Sequence, residues 1–600
     1  MIKNLPFRLM FVALIFLMNL TNVYAQVSLK EISLKEQIDN SSLVVEGEVV
    51  SQRSFWDEAQ EKIYTAYTVN VYKVFKGQFV ERVEVVELGG TVGLNAFVVS
   101  HGLNLKKGNL GVFTLYDSNY NLKEAKLKQF KIYSAIQGFY KYDRDNNEVA
   151  NVFGKTNGIE STFYKTLTKL TKTSYKEVRA FKAAKESQKN AGVLMPTGIS
   201  FPSTPVTSGT KTELVITGSG FGTAIGKVGF RDADEGGAVF TDALDSEVIS
   251  WSDSEIRVLV PSFAGSGNIR VTDSGGISNT STNNLTVKYA TINAVFQISG
   301  ENQAFEVQHY DNNGQGGNTW SFYADFYEDV VHTGAKAAYE KALESWRCET
   351  GVNWVIDTEE STTSEISDID SHIIRFDNGN ELEAGVLGVT YTAFSGRICG
   401  SSVIAYVVDS DMVFDKETNW YFGLEGETLD NGEFDFETVA LHELGHAHLL
   451  GHVNDISNIM NFEIFNAVIN STLDDNSIEA GNSVHLRSTT NQVCNGNPAI
   501  PLMTDYSGSC GLSVEDNIAL LNSITIYPNP TENEFYIESP AVNLKKITIY
   551  DLGGRLIRQI ETIDSSNLVP VSLKGVSKGV YFVNLYSVNL GFVSKKLVLK

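Results

Sequence analysis

Phe434-Asp435-Phe436-Glu437-Thr438-Val439-Ala440-Leu441-His442-Glu443-Leu444-Gly445-His446-Ala447-His448-Leu449-Leu450-Gly451-His452 is the stretch that the rest of this 600-residue chain must hold in place. Asp435 can cap the free amides of a first helical turn, and Phe434 and Val439 stand where a hydrophobic staple would close over it. His442 and His446 are four residues apart, so a helix projects both imidazoles from one face toward one cation. Glu443, beside the first of them, can take a proton from a water held there. His448 lies two residues from His446 and points around the other side of the helix. Gly451 reads as the left-handed residue that ends the helix and brings His452 back as a third ligand. That predicts a helix running to Leu449 or Leu450. Met460 lies eight residues after His452.

The two helical histidines, Glu443, the third His and Met460 together resemble the metzincin metalloproteases. The interval from His452 to Met460 is most similar to their matrixin branch. The resemblance implies an α+β catalytic domain with one catalytic zinc on His442, His446 and His452. It makes Glu443 the general base and places Met460 in a tight turn beneath the metal. The chain departs from the family at one point: the glycine three residues after the second His is Leu449 here, and a glycine comes only at 451. A downstream acid, Glu463 or Glu479, is the alternative third ligand. Matrixins also carry a structural zinc, but Val389 and Val413 stand where two of its histidines would align, so a single zinc is expected. Latency through a propeptide cysteine has no residue to use, because the first cysteine is Cys348. Asp409, Asp411 and Asp415 could hold calcium, without a spaced loop motif to support it.

Around this stretch, residues 296–515 read as the catalytic unit. Strands are expected at Thr319–Phe326, Asn353–Asp357, His372–Asp377, Val386–Thr392 and Val403–Val408, with a helix from Gly334 to Arg347 ended by Gly351. In the matrixin pattern Val386–Thr392 would be the edge strand along which an extended substrate adds its backbone bonds. Cys348, Cys399, Cys494 and Cys510 predict two disulfides in an exported chain. Proximity favours Cys494–Cys510 and hence Cys348–Cys399.

Residues 196–289 carry short strands between Gly-rich turns, a β-sandwich pattern. Thr217-Gly218-Ser219-Gly220-Phe221-Gly222 and the stretch from Trp251 to Pro261 resemble the TIG (IPT) domain, an immunoglobulin-like fold that serves as a spacer or adhesive module. The tail, 525–600, alternates apolar and polar residues. Its Tyr527-Pro528-Asn529-Pro530 entry, Gly553-Gly554 and Gly579-Val580-Tyr581 resemble the type IX secretion sorting domain, a β-sandwich that guides export in Gram-negative bacteria. Residues 26–190 form a β-rich, barrel-like domain with strands at Ser42–Val50, Thr65–Lys76, Arg82–Leu88 and Leu110–Tyr116. A basic helix over Ser174–Lys189 is expected to follow, its Lys and Arg forming a solvated face.

Residues 1–25 read as a signal peptide: Lys3 and Arg8 precede the apolar run Leu9–Met18, and Val23 and Ala25 occupy the −3 and −1 positions. The net charge of −24 argues against nucleic acid and anionic membranes as partners. No later segment is apolar enough to span a bilayer. The expectation is therefore a multidomain zinc endopeptidase, secreted or held at the outer surface by type IX secretion machinery, acting on proteins or peptides. A catalytically inactive, adhesive or matrix-binding protein on the same scaffold is the alternative.

Overall fold

The computed structural model describes residues 29–600 apart from 119, 121–126, 184–194, 325, 327–330, 367–371, 380, 401, 424–427, 464–465, 492–499, 509, 511–523, 540–543, 545, 553–554, 562–567 and 588–590. The expected signal peptide, Cys494 and Gly553-Gly554 lie outside the described residues. The chain divides into two compact units, residues 1–507 and 508–600.

The first unit opens with β1 (Leu43–Trp56), β2 (Ile63–Lys76) and β3 (Arg82–Leu88), long alternating strands as the sequence predicts. A short hairpin comes next, β4 (Gly90–Val92) and β5 (Asn95–Val99), and then β6 (Leu110–Asp117) and β7 (Gln129–Ile132). The pairings run β1-β2-β3-β7-β6, and β6 also pairs with β1, so they close into a ring. Val45, Val69, Val83, Val85, Phe113 and Leu115 fill one apolar core. The β4–β5 hairpin leaves this ring at Gly90. Its φ is +127°, and a Cβ there would meet the Thr65 hydroxyl at 2.1 Å, so only glycine allows the exit.

Expectation and structure part at residues 174–183. The segment is not helical: Lys176–Glu177 pairs with β2, and the helix of this region lies earlier, at Tyr164–Thr171. Phe181 stacks on Tyr72 with ring centroids 4.1 Å apart, and the Val178 amide donates to the Tyr72 carbonyl. Aromatic anchoring overrides helix propensity here. The remainder of the expected basic helix, 184–189, lies outside the described residues.

Residues 197–285 form two four-stranded antiparallel sheets around Leu214, Ile216, Phe221, Phe230, Ile256 and Val271. This sandwich is joined by backbone pairing to the segment that ends in His452. Its last strand, β8 (Val287–Thr291), runs parallel to Val206–Ser208 on one side and antiparallel to Leu450–Gly451 on the other.

A second sheet is built from β9 (Asn318–Phe322), β10 (Trp354–Ile356), β11 (His372–Phe376), β12 (Gly388–Cys399) and β13 (Ser402–Phe414). Its order is β10-β9-β11-β13-β12, and then β5-β4. The strand expected to form the free edge is therefore not an edge: β5 pairs antiparallel along it, from Tyr391 opposite Val99 to Ser395 opposite Asn95.

Two helices back the sheet. In α1 (Ala335–Thr350), Ala338, Tyr339, Ala342, Leu343 and Trp346 make the buried stripe, and Gly351 ends the helix at φ +75°. In α2 (Phe436–Ala447) every residue except Glu437 is buried, the mark of a helix enclosed on all sides. Asp435 caps it as predicted, accepting from the Thr438 amide at 3.0 Å. The Trp346 indole donates to the Leu441 carbonyl at 2.8 Å and locks α1 onto α2. Burying a side chain of this size contributes about 1.5–3 kcal/mol or more, so this contact anchors the layer.

Cys348, Cys399 and Cys510 are each disulfide-bonded. No described helix is long and apolar enough to cross a membrane. In the second unit, a three-stranded sheet (Thr525–Tyr527, Glu534–Glu538, Leu568–Ser572) and a four-stranded sheet (Lys546–Asp551, Leu556–Glu561, Gly579–Ser587, Gly591–Leu599) share one core of Phe535, Ile537, Ile547, Ile549, Val583 and Leu597.

Candidate metal centre

The four-residue spacing does what helix geometry requires. His442 Nε2 and His446 Nε2 are 3.0 Å apart on one face of α2. His452 Nε2 joins them, 3.1 Å from His446 Nε2. Each ring is oriented through its other nitrogen: His442 Nδ1 donates to the Ile459 carbonyl at 2.7 Å and His446 Nδ1 to the Leu450 carbonyl at 2.9 Å. A carbonyl can only accept, so both Nδ1 atoms carry the proton and both Nε2 atoms present lone pairs. His452 Nδ1 faces Asp234 Oδ1 at 2.9 Å, a carboxylate supplied by the preceding β-sandwich.

Burial pushes His442 down to about 4, and holds His446 and His452 well below the ordinary imidazole range. Neutral lone pairs packed this closely leave a place for a cation. Tetrahedral coordination with metal–nitrogen bonds of about 2.0–2.1 Å needs nitrogens only about 3.3 Å apart, and the donor set fits.

The route to His452 differs from the sequence expectation. Helix α2 stops at Ala447, and Leu449, not Gly451, takes the left-handed conformation, with φ +66°. That is the position at which the matrixin pattern has glycine. Leu449 is held there by its surroundings: its side chain is fully buried, its amide donates to the His446 carbonyl, and its carbonyl accepts from Ile292 at 2.7 Å. Burial of the leucine and two backbone bonds outweigh a left-handed penalty of about 1–2 kcal/mol. Gly451 serves a different need. It lies in the short pairing with β8, where a Cβ would sit 3.2 Å from that of Ala290.

Met460 is buried beneath α2. A Cβ on Gly445 would meet its Sδ at 2.2 Å, so this glycine is what lets the methionine lie against the helix between His442 and His446. His448 points away, as expected, with Nε2 3.1 Å from the Thr350 hydroxyl. The alternative ligands are elsewhere: Glu479 pairs with Lys288 at 2.8 Å, and the Glu463 amide donates to the Asn461 side chain. Val389 and Val413 face each other across β12 and β13, both buried. The calcium candidates are engaged by protein groups: Asp409 with His372 at 2.9 Å, Asp411 with the Ile373 amide at 2.8 Å and Asp415 with the Thr418 hydroxyl.

Glu443 is fully buried. The Thr390 hydroxyl donates to its Oε2 at 2.8 Å and to its own backbone carbonyl at 2.9 Å, fixing the side chain beside the histidines. Burial raises its carboxyl, but the hydrogen bond from His101 and the neighbouring histidines of the cluster outweigh that and hold it well below the usual range.

His101 is the residue that sequence reasoning missed. It is the sole histidine before residue 300, and it reaches the centre from the N-terminal ring, just after β5. Its Nε2 lies 3.3 Å from Glu443 Oε1. One nitrogen from each of His101, His442, His446 and His452 lies within 4.8 Å of the others, and all four residues are buried. The signal available was a lone histidine in a domain with no cysteine; nothing local linked it to residues more than 300 positions away. Asp234 was missed for the same reason.

Comparison with known proteins agrees with the motifs. Residues 313–484 match the matrixin family, residues 196–289 the IPT/TIG domain, and residues 525–600 the secretion system C-terminal sorting domain. Among curated proteins, an endo-acting ulvan lyase of Formosa agariphila is 32% identical over 90 residues, 15% of this chain and 17% of the lyase. A beta-agarase A of Zobellia galactanivorans is 29% identical over 76 residues, 12% of this chain and 13% of the agarase. The chain spans under a fifth of either relative, so neither activity transfers to it. A matrixin segment and a secretion sorting domain on one chain point to a secreted metalloprotease family. The chain thus joins an IPT/TIG domain, a matrixin segment and a C-terminal sorting domain, in that order.

Proposed function

We propose that the protein is an exported zinc endopeptidase, with His442, His446 and His452 holding one zinc and Glu443 acting as general base. The observation that carries the reading is the convergence of three buried Nε2 atoms beside a buried carboxylate. A bound zinc would supply Lewis acidity, acidifying a water and polarising the scissile carbonyl. Glu443 takes the proton from that water as the new C–O bond forms, then returns it to the departing amine as the peptide C–N bond breaks. Thr390 keeps the carboxylate aimed during both transfers, and Met460 supports α2 from below without taking part in the chemistry. Substrates are proteins or peptides lying extended along β12. The sorting domain implies delivery by type IX secretion to the cell surface or the medium.

The test uses the full exported chain. A fragment beginning at 296 would lose both Asp234 and the β8 pairing that lie against the third ligand. Metal analysis is expected to give one zinc per chain, lost in His446→Ala, with peptide cleavage by the exported protein, assayed before and after limited proteolysis, abolished in Glu443→Gln. A chain without zinc, or cleavage unchanged in Glu443→Gln, would sink the reading.

A further inference from the structure

We infer that the N-terminal domain is a built-in inhibitor, in which His101 is the fourth metal ligand and the β4–β5 hairpin occupies the substrate's place on β12. This rests on the proposed zinc site.

Three independent features converge on it. The first is coordination. A catalytic zinc site keeps one position open, whereas four protein ligands close it. His101 brings a fourth buried imidazole into the same cluster, with its ring 5.9 Å from that of His442 and 5.3 Å from that of His452.

The second is the edge. An extended peptide substrate would pair along β12, and β5 already does so over five residue pairs. The mimicry continues past the strand: the Ser100 amide donates to the Thr390 carbonyl and the Thr390 amide to the Ser100 hydroxyl, both at 3.0 Å. The Gly102 amide then bonds back to the Val99 carbonyl, so the chain turns at the cluster and presents His101 there. Phe97, 4% exposed, packs its ring on Tyr391 at 6.2 Å.

The third is the base. Glu443 Oε2 accepts from the Ser100 hydroxyl at 3.2 Å, and Oε1 faces His101. Ser100 and His101 thus fill the space beside both carboxylate oxygens, where a reacting water would stand.

The hairpin is clamped from behind. Tyr116 and Lys131 both reach Glu383 at 2.6 Å, the Ser134 hydroxyl donates to the Ala384 carbonyl at 2.6 Å, and the Lys30 amide donates to the Gly385 carbonyl. These contacts grip the segment leading into β12. Clearing the whole of β12 therefore requires the N-terminal domain to leave, whereas loss of His101 alone frees the metal position and loosens the turn after β5.

The experiment compares the full chain with its His101→Ala and His101→Asn variants, each loaded with cobalt(II) in place of zinc and titrated with azide. Cobalt stoichiometry confirms that each variant is folded and metallated, and the visible spectrum reports whether azide gains a coordination position. The parent chain should be nearly indifferent to azide. Both variants should bind it at least about tenfold more tightly, because an occupied position lowers apparent affinity by the fraction of sites that are open. Peptide cleavage should rise in the same variants. Equal azide binding by parent and variants, or a fall in cleavage on removing His101, overturns the inference while leaving the zinc peptidase intact. Failure of every form to retain metal removes the proposed function, and this inference with it.

Discussion

His442 and His446 stand on one helix, and His452 and His101 arrive by way of contacts with other domains. The first pair is placed by helical periodicity and a cap at Asp435, and the Ile459 and Leu450 carbonyls that follow the helix orient the rings. The second pair depends on distant chain. His452 comes after a stretch that pairs with β8 and leans on Asp234, while His101 sits on a hairpin that pairs with β12. Two of the clustered histidines are thus specified locally and two by the assembly of the domains. A site built this way can be opened by withdrawing a domain without disturbing the helix that carries its chemistry.

The sharpest way to break this contrast is at the base. Glu443→Gln, placed in the His101→Ala chain, should keep the fold and the metal while lowering cleavage by about 10²–10⁴-fold, the range for losing a general base. Cleavage assays with metal analysis on the same samples decide it, and full activity would remove Glu443 from the local half of the site.

Asp234→Ala tests the cross-domain half. Removing the acceptor beyond a ligating histidine costs about 10–100-fold in metal affinity, and that loss is expected in competition with a chelator. An unchanged affinity would mean that β8 alone positions His452.

Within the helix, Gly445→Val drives a branched side chain toward Met460 and Trp346. Overpacking of this kind costs about 1–3 kcal/mol, to be read from denaturant unfolding. The smallest effect is at the turn. Leu449→Gly and Leu449→Ala both lose a buried side chain, but glycine accepts φ +66° freely, so the glycine variant should be the more stable by about 1 kcal/mol. The opposite order would contradict the left-handed turn at 449.

The same contrast explains what the sequence made legible. The strands β2, β3 and β6, and the start of β1, could be read closely because alternation is a local property, although β1 runs on to Trp56, past the expected end at Val50. The start of α2 and the two helical histidines were readable for the same reason. The end of α2 was not. Propensity favoured Gly451 as the turning residue, but the buried environment of Leu449 and its bond from Ile292 fix the turn two residues earlier. Ser174–Ala183 looked helical because its charges and apolar residues suit a helix face, yet Phe181 found a stacking partner in Tyr72, more than 100 residues away. His101 could not be seen at all, since its meaning lies in a strand pairing between residues 95–99 and 391–395.

An imidazole in this role also determines which chemical signals the protein can answer. Thiol-based metal caps are released by oxidants and alkylating agents, because a thiolate climbs the oxidation ladder and loses its hold on the metal. His101 has no such chemistry, and Cys348, Cys399 and Cys510 are already held in disulfides. A chain exported into an oxidising environment thereby carries a restraint that peroxide leaves untouched. On that inference, release follows the departure of the hairpin from β12 and needs no thiol chemistry at the metal.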